Sequence, residues 1–353
     1  MRKRKVSMSS RAFTAATRRP TPLESSLSWL LRLLPLKHGA HRLLDRLRPA
    51  AWVKEPSVVG VPYRGRIVQI DVSDLVGWHF LVMRNFDPEI TEVLRQFARR
   101  DGADVFWDIG ANKGALSYEM ATSLPQCKIV AVEPQRCMRG LLEENLETLA
   151  HGRYEVFGVG IGETPGTFEL IIPPGNRGRA SLTAAAREGS LVERVKVVTA
   201  DAVCRQSRYG WPTVVKIDVE GFEPAVIRSL RPAFRGRHVR CCVFECHASQ
   251  EWNLQQIRAA TEQFGYRLYA ITKTPFSTRL AATSRLVRAA TDYALIRDDL
   301  YNYGTISSAP RPLAAAKEAG ACGGRAPRTL LALRHARRTP SPAVRSVAAG
   351  LAA

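Results

Sequence analysis

Apolar positions follow two alternating rhythms from residue 104 onward. Short runs rich in Val, Ile and aromatic residues mark strands at DVFWDI (104–109), CKIVAVE (127–133), YEVFGVG (154–160), TVVKIDV (213–219), VRCCVFEC (239–246), YRLYAI (266–271) and DYALIRD (292–298). Helical spacing fills 114–123, 135–150, 223–230 and 251–264. Apolar strands alternating with helices predict a largely parallel sheet covered on both faces, its last strand inserted antiparallel after a loop-rich stretch. Between 163 and 200 the helical rhythm stops. There TFELIIPPG and LVERVKVVTA, joined by GNRGRASL, predict an inserted hairpin.

Upstream, GRIVQIDVSD followed by GWHFLVMR predicts a strand pair within 61–83, and Pro88 behind Asp87 opens a helix over about 88–99. The stretch 26–48 alternates apolar and basic residues and is broken by Pro35 and Gly39, which predicts two short helices. Residues 1–22 carry seven Lys/Arg and no acid among many Ser, Thr and Ala. That bias is shared with organelle transit peptides, but a plain disordered basic tail is the preferred account. Residues 309–353, rich in Ala, Pro, Gly and Arg, have no periodicity. The expected organisation is a disordered basic tail (1–25), a helical and strand extension (26–84), the α/β domain (85–304) and a disordered Ala/Pro/Arg-rich tail (305–353).

Composition narrows this little: 353 residues with 45% apolar and 24% charged side chains make an ordinary globular chain. The charge does more. Of the net +20, residues 1–50 hold +10 and residues 305–353 hold +7, which leaves only +3 for everything between. The basicity therefore belongs to the ends, and no specific nucleic-acid partner is expected. Seven cysteines without a C-x-x-C argue against a disulfide framework or a zinc ribbon and for a reducing, cytoplasmic setting. No run is apolar and long enough for a membrane span, and the basic start lacks the apolar core of a secretory signal. The 26–48 stretch leaves room for weak peripheral membrane contact.

Candidate chemistry gathers at strand ends. A buried strand ends in Asp108, and the turn Gly110-Ala111-Asn112-Lys113-Gly114 leads into a helix. Small residues there let a ligand approach the backbone. A dinucleotide fingerprint fails, because the positions that need glycine read Gly110, Asn112 and Ala115, and no phosphate loop is present. The second strand ends in Glu133, placed to accept hydrogen bonds from ribose hydroxyls. Acids at both tips repel a diphosphate and suit a cationic nucleoside, which points to S-adenosylmethionine. Each acid taken alone would more often be a helix cap. The fourth strand ends in Lys216, Asp218, Glu220 and Glu223, and the fifth in Glu245-Cys246-His247. Charges at the end of a buried strand are costly unless used or paired. Asp218, Glu220 and His247 are the candidate proton acceptors for methyl transfer to an alcohol, with Glu220 alternatively paired to Lys216 or Arg228. No metal is expected, since no third ligand can be named beside two carboxylates.

The motifs FWDIGANKG (106–114) and KIDVEGFE (216–223), with DPEI (87–90), VEP (132–134), NRGRASL (176–182), TADAV (199–203) and FECH (244–247), resemble the FkbM family of S-adenosylmethionine-dependent methyltransferases. The resemblance spans about 85–300. It implies a Rossmann-like, class I methyltransferase fold with a seven-stranded, mostly parallel sheet whose last strand is antiparallel. It also implies S-adenosylmethionine as donor and a hydroxyl of a glycan or polyketide-type natural product as acceptor. Carried over by motif, Asp108, Gly110, Ala111, Asn112 and Gly114 line the donor, Glu133 takes the ribose, Asp218 and Glu220 lie at the transfer edge, and Asp201 meets the adenine. Ala200, Gly160 and Cys246 depart mildly from the family pattern. Two other functions compete: a nucleic-acid-associated methyltransferase or RNA-binding module using the basic tails, and a donor-binding scaffold without catalysis.

Overall fold

The computed structural model describes residues 18–33, 57–73, 75–98, 104–174, 177–247, 250–273, 277–288 and 290–300. All lie in the unit that ends at Ser308. Helix α1 is Pro22–Leu33. Residues 18–25, expected within a disordered tail, are held in place. Arg18 bridges in parallel to Val59, and its guanidinium makes a bidentate contact with buried Glu24 at 2.7 and 2.8 Å. Composition cannot reveal a partner strand 40 residues away. The remainder of the expected second helix and both chain ends, 1–17 and 301–353, lie outside the described residues.

Strands β1 (Val58–Tyr63) and β2 (Arg66–Asp71) pair antiparallel around Arg64 and Gly65. Both turn residues have positive φ, 46° and 77°, the conformation that matches strand twist in a two-residue hairpin. The expected strand GWHFLVMR is instead helix α2 (Leu75–Met83). Trp78, Phe80, Leu81 and Val82 are all buried, so the helix is apolar on every side and shows neither the helical nor the strand period. Ser28 of α1 donates to the Val82 carbonyl at 2.7 Å. Helix α3 (Pro88–Phe97) buries Ile90, Val93, Leu94 and Phe97.

The α/β part runs β3 (Val105–Ile109), α4 (Ala115–Ser123), β4 (Lys128–Val132), α5 (Arg136–Ala150), β5 (Tyr154–Phe157), β6 (Gly160–Ile161), β7 (Gly166–Ile172), β8 (Leu191–Val198), α6 (Ala200–Gln206), β9 (Val214–Ile217), α7 (Glu223–Ser229), α8 (Arg231–Arg235), β10 (Cys241–Glu245), α9 (Glu251–Thr261), β11 (Tyr266–Lys273), β12 (Thr278–Ala282) and β13 (Asp292–Arg297). The main sheet has the order β12-β11-β13-β10-β9-β3-β4-β5. Pairings among β5, β4, β3, β9 and β10 are parallel, and β13 inserts antiparallel between β10 and β11. The seven expected strands are present in that sense, and β12 adds an eighth as a hairpin on the β11 edge. Its sequence TRLAA is largely exposed and carries no alternation that could announce it.

Alternate residues of the central strands feed two separate cores, as strand geometry requires. Phe106, Ile129, Ala131 and Val243 join α2–α5 on one face. Trp107, Ile109, Val130, Ile217 and Phe244 join α7–α9 on the other. The expected strand 154–160 splits. Its last residue, Gly160, begins β6 of a separate three-stranded sheet, β6-β8-β7, which contains the predicted hairpin.

Candidate functional site

A cavity of about 430 Å³ opens beyond the carboxyl ends of β3, β4, β9 and β10, where open α/β sheets place ligands. The glycine turn forms its floor. Gly110 has φ 81°, and a Cβ there would sit 1.9 Å from the Asp218 carbonyl oxygen, so only glycine fits. Its N–H and that of Ala111 donate to the Val132 carbonyl at 2.9 and 3.1 Å, which fastens the turn to β4. Asn112 is also left-handed, φ 53°. Gly114 (φ 86°) precedes α4 and packs against Leu142 and Tyr118.

The two strand-tip acids line this cavity. Asp108 is buried and accepts the Ser117 hydroxyl at 2.6 Å. Burial pushes its carboxyl up to about 6, against the pull of the Ser117 hydrogen bond and of Lys216. Glu133 accepts the Asn112 N–H on one oxygen (2.8 Å) and the Gln135 N–H on the other (2.7 Å). Burial pushes it up to about 7 despite those two bonds. Its carboxylate therefore staples the glycine turn to the start of α5. Two buried polar atoms of residues that line the cavity, Asn112 Oδ1 and Gln135 Nε2, have no protein partner.

The second strand-end cluster opens into the same space. Lys216 is buried; burial opposes its charge, but Asp218, Asp292 and Glu245 outweigh that and hold the ammonium above its ordinary range. Its Nζ lies 3.8 Å from Asp218. Glu220 (φ 51°) pairs with neither expected cation. It faces Arg179 at 3.8 Å, while Arg228 binds Glu163 at 2.8 Å. The chain turns at Glu220 and Gly221, both with positive φ, before α7 begins. Glu223 is spent locally, accepting the Val219 and Gly221 N–H groups. Asp218, Glu220 and Glu245 bring one oxygen each within 4.8 Å of one another. This close company and burial push Glu245 up to about 8, with burial first and Asp218 next, against Lys216. We assign no ion to this trio. As a chemical device it holds carboxylates ready to take a proton.

Three expected site residues do not line the cavity: His247, Asp201 and Gly114, whose neighbours are Leu142 and Tyr118. His247 is absent from its lining and stands behind Glu245, its Nε2 3.5 Å from that carboxylate. Asp201 lies in the first turn of α6, ion-paired to Arg205 at 2.6 Å and away from the lining. Thr199 caps that helix, accepting the Ala202 N–H.

The sequence places the acceptor wall in 60–90, 173–190 and 272–290 without naming individual residues, and all three segments contribute to the lining. Val76, His79, Phe86 and Asp87 come from the N-terminal segment, and Arg177 and Arg179 from the inserted hairpin's connection. Asp87 is left-handed (φ 40°), and burial with the neighbouring Glu89 and Asp292 pushes its carboxyl up to about 7. Lys273 bonds Glu89 and Asp292, the latter at 2.9 Å. Strand direction was the available signal. Lys273 ends β11, and Asp292 begins antiparallel β13, so both reach the rim where the parallel strands finish.

Residues 108–268 match the family described as the Methyltransferase FkbM domain. The hexuronic acid methyltransferase AglP of Haloferax volcanii is 25% identical over 197 residues, 56% of this chain and 76% of that protein. Among solved structures, Methyltransferase FkbM from Methylobacillus flagellatus KT shares 15% identity, covering 72% of this chain and 58% of that one, with a TM-score of 0.36. Precorrin-6y C5,15-methyltransferase from Geobacter metallireducens GS-15 shares 17% identity, covering 59% and 88%, with a TM-score of 0.33.

Proposed function

We propose, for a chain whose residues 108–268 match the methyltransferase FkbM domain, that it transfers a methyl group from S-adenosylmethionine to a hydroxyl of a glycan or polyketide-type natural product. One observation carries this reading: both strand-end clusters, the glycine turn with its acids and the Asp218–Glu220–Glu245 trio, line one cavity. The wall suits a cationic nucleoside. Asp108 and Glu133 favour positive charge, and Gly110 keeps the backbone bare. When bound, the donor supplies an electrophilic methyl on a sulfonium.

The chain's own groups then do the rest. Attack by an acceptor hydroxyl must shed its proton, and Asp218 and Glu220 are the cavity carboxylates placed to take it. Glu245 stands beside them, and His247 takes part only through Glu245, as an outlet for the proton toward solvent. Alignment in a closed site supplies much of the rate in such displacements. A sugar acceptor is supported by the sequence similarity to a hexuronic acid methyltransferase. We place the reaction in the cytoplasm, in keeping with the odd cysteine count. Among the described residues no helix is long and apolar enough to cross a membrane.

Isothermal titration with S-adenosylmethionine and S-adenosylhomocysteine tests the first half, and folded protein that binds neither ends the proposal. Transfer of a ¹³C-labelled methyl to a panel of neutral and acidic glycosides tests the second. The label is expected on oxygen, and a label found on nitrogen or carbon would replace the O-methylation reading.

A further inference from the structure

Helix α1 wears its polarity inside out. Its buried side carries polar residues: Glu24 is held by Arg18, and Ser28 donates to the Val82 carbonyl of α2. Its outer side carries Leu23, Trp29 and Leu30, exposed by 73%, 66% and 55%. Leu23 and Leu30 stand two turns apart on one stripe, with Trp29 beside them across Ser26, so the three form one ridge without a charge in it. Elsewhere among the described residues, large exposed apolar side chains stand singly, as Ile67 and Trp252 do, or as the pair Leu191 and Val192. Single ones are ordinary. A ridge of them, on a helix that spends its polar groups inward, marks a contact surface.

We infer that this ridge docks onto an anionic lipid surface. Charge picks the occupant. The helix lies within residues 1–50, which hold +10 of the net +20. That segment contains two acids, Glu24 and Asp45, and Glu24 is turned inward onto Arg18. Arg19, just before the helix, is exposed. An apolar ridge set in basic sequence fits a bilayer with negative headgroups: leucine enters the acyl boundary, indole sits at headgroup level and Lys/Arg meet the phosphates. A second copy of the chain would bring the same positive charge to the contact, and three side chains supply only part of the roughly 800 Å² per partner that a stable dimer buries. A nucleic acid would answer the charge and leave the leucines in water. The attachment has a consequence for the site. Helix α1 rests on α2, and α2 lends Val76 and His79 to the cavity, so the docked molecule holds its acceptor wall one helix from the lipid. The inference is independent of which donor or acceptor that cavity takes.

Flotation of the full chain with vesicles of phosphatidylcholine, alone or mixed equally with phosphatidylglycerol, tests it. Binding is expected to the mixed vesicles only, and it should weaken at about 1 M salt, where the Debye length is about 3 Å. The double variant Leu23→Ser/Leu30→Ser should keep its Tm, since both side chains are exposed, and bind about tenfold less. Brominated acyl chains should quench tryptophan emission of the bound wild type, and Trp29→Phe should stay bound while losing that quenching. The quenching decides the matter if the serine variant also melts lower. Wild type that ignores the mixed vesicles overturns the inference. So does a folded serine variant that binds as wild type does, because attachment would then be by charge alone. Quenching that survives Trp29→Phe, or a wild-type dimer that the serine variant splits and vesicles leave intact, gives the ridge another occupant and overturns it too.

Discussion

Glu133 carries a tension that can be measured. Its carboxylate is buried, which favours the protonated form, while the two N–H groups it holds favour the ionised one. Burial wins and the group rises from 4.5 to about 7. The sign of the linkage follows: the folded state keeps a proton that the unfolded chain releases above 4.5. This group's contribution to stability is therefore full below pH 4.5 and is lost as pH climbs through 7. At about 1.4 kcal/mol per pKa unit, the loss is about 3 kcal/mol. Asp108, raised to about 6, adds a loss of the same sign that begins lower. Urea midpoints of the ligand-free protein should fall between pH 5 and 8, and Glu133→Gln should flatten part of that slope. A cationic donor reverses the preference, because it favours the ionised acids. Affinity for S-adenosylmethionine should accordingly rise from pH 6 to 8, and a flat profile would show that the sulfonium does not sense these carboxylates.

At the level of elements, α2 shows what holds the acceptor wall. Gly77 lays this helix directly on β2: a Cβ there would meet the Asp71 carbonyl oxygen at 1.8 Å, backbone against side chain with nothing to yield. Gly77→Ala should cost about 3 kcal/mol, at the upper end for overpacking, measured as a lowered urea midpoint. Val76 and His79 flank it and line the cavity, so the displaced helix should also disturb the site. An alanine that leaves stability unchanged would mean that α2 can slide. The same helix marks the limit of what the sequence discloses. The central strands were legible because Phe106 and Trp107 go to opposite cores, yet both faces are covered, giving short unbroken apolar runs bounded by turn residues. GWHFLVMR is a similar apolar run, and only its contacts with α1 and β2 make it a helix. The glycine turn and Glu133 were legible because their chemistry is local: Gly110 and Asn112 have backbone torsions that few residues tolerate. Asp87, Lys273 and Asp292 were not, because only the order and direction of strands far apart in sequence bring them to one rim. Asp201 was misplaced for the converse reason. Its motif survives, but in the structure its carboxylate is paired with Arg205 instead.

The charge of the whole molecule poses the remaining question, whether the basic ends make this a nucleic-acid enzyme. The cavity lies in a region that is close to neutral overall, +3 of +20, and its lining holds more acids (Asp87, Asp108, Glu133, Asp218, Glu220, Glu245 and Asp292) than bases (Lys113, Arg177, Arg179, Lys216 and Lys273). A phosphate backbone entering there would meet like charge. The ends can still bind polyanions without involving the site. The structure sets where to cut: Arg18 is tied to Glu24 and β1, so a deletion should stop at residue 17. Removing 1–17 takes away five Lys/Arg, and removing 309–353 takes away a net +7. Counterion release gives a slope of about 0.7 per phosphate contact on single strands, so losing up to twelve contacts would flatten log affinity against log salt by up to about 8. Fluorescence anisotropy with an unstructured RNA should show weak, steeply salt-dependent binding by the full chain and almost none by the trimmed one. S-adenosylhomocysteine should bind both equally. If the trimmed chain instead held RNA with undiminished affinity, the acceptor would have to be sought among nucleic acids and the acid-rich lining explained anew.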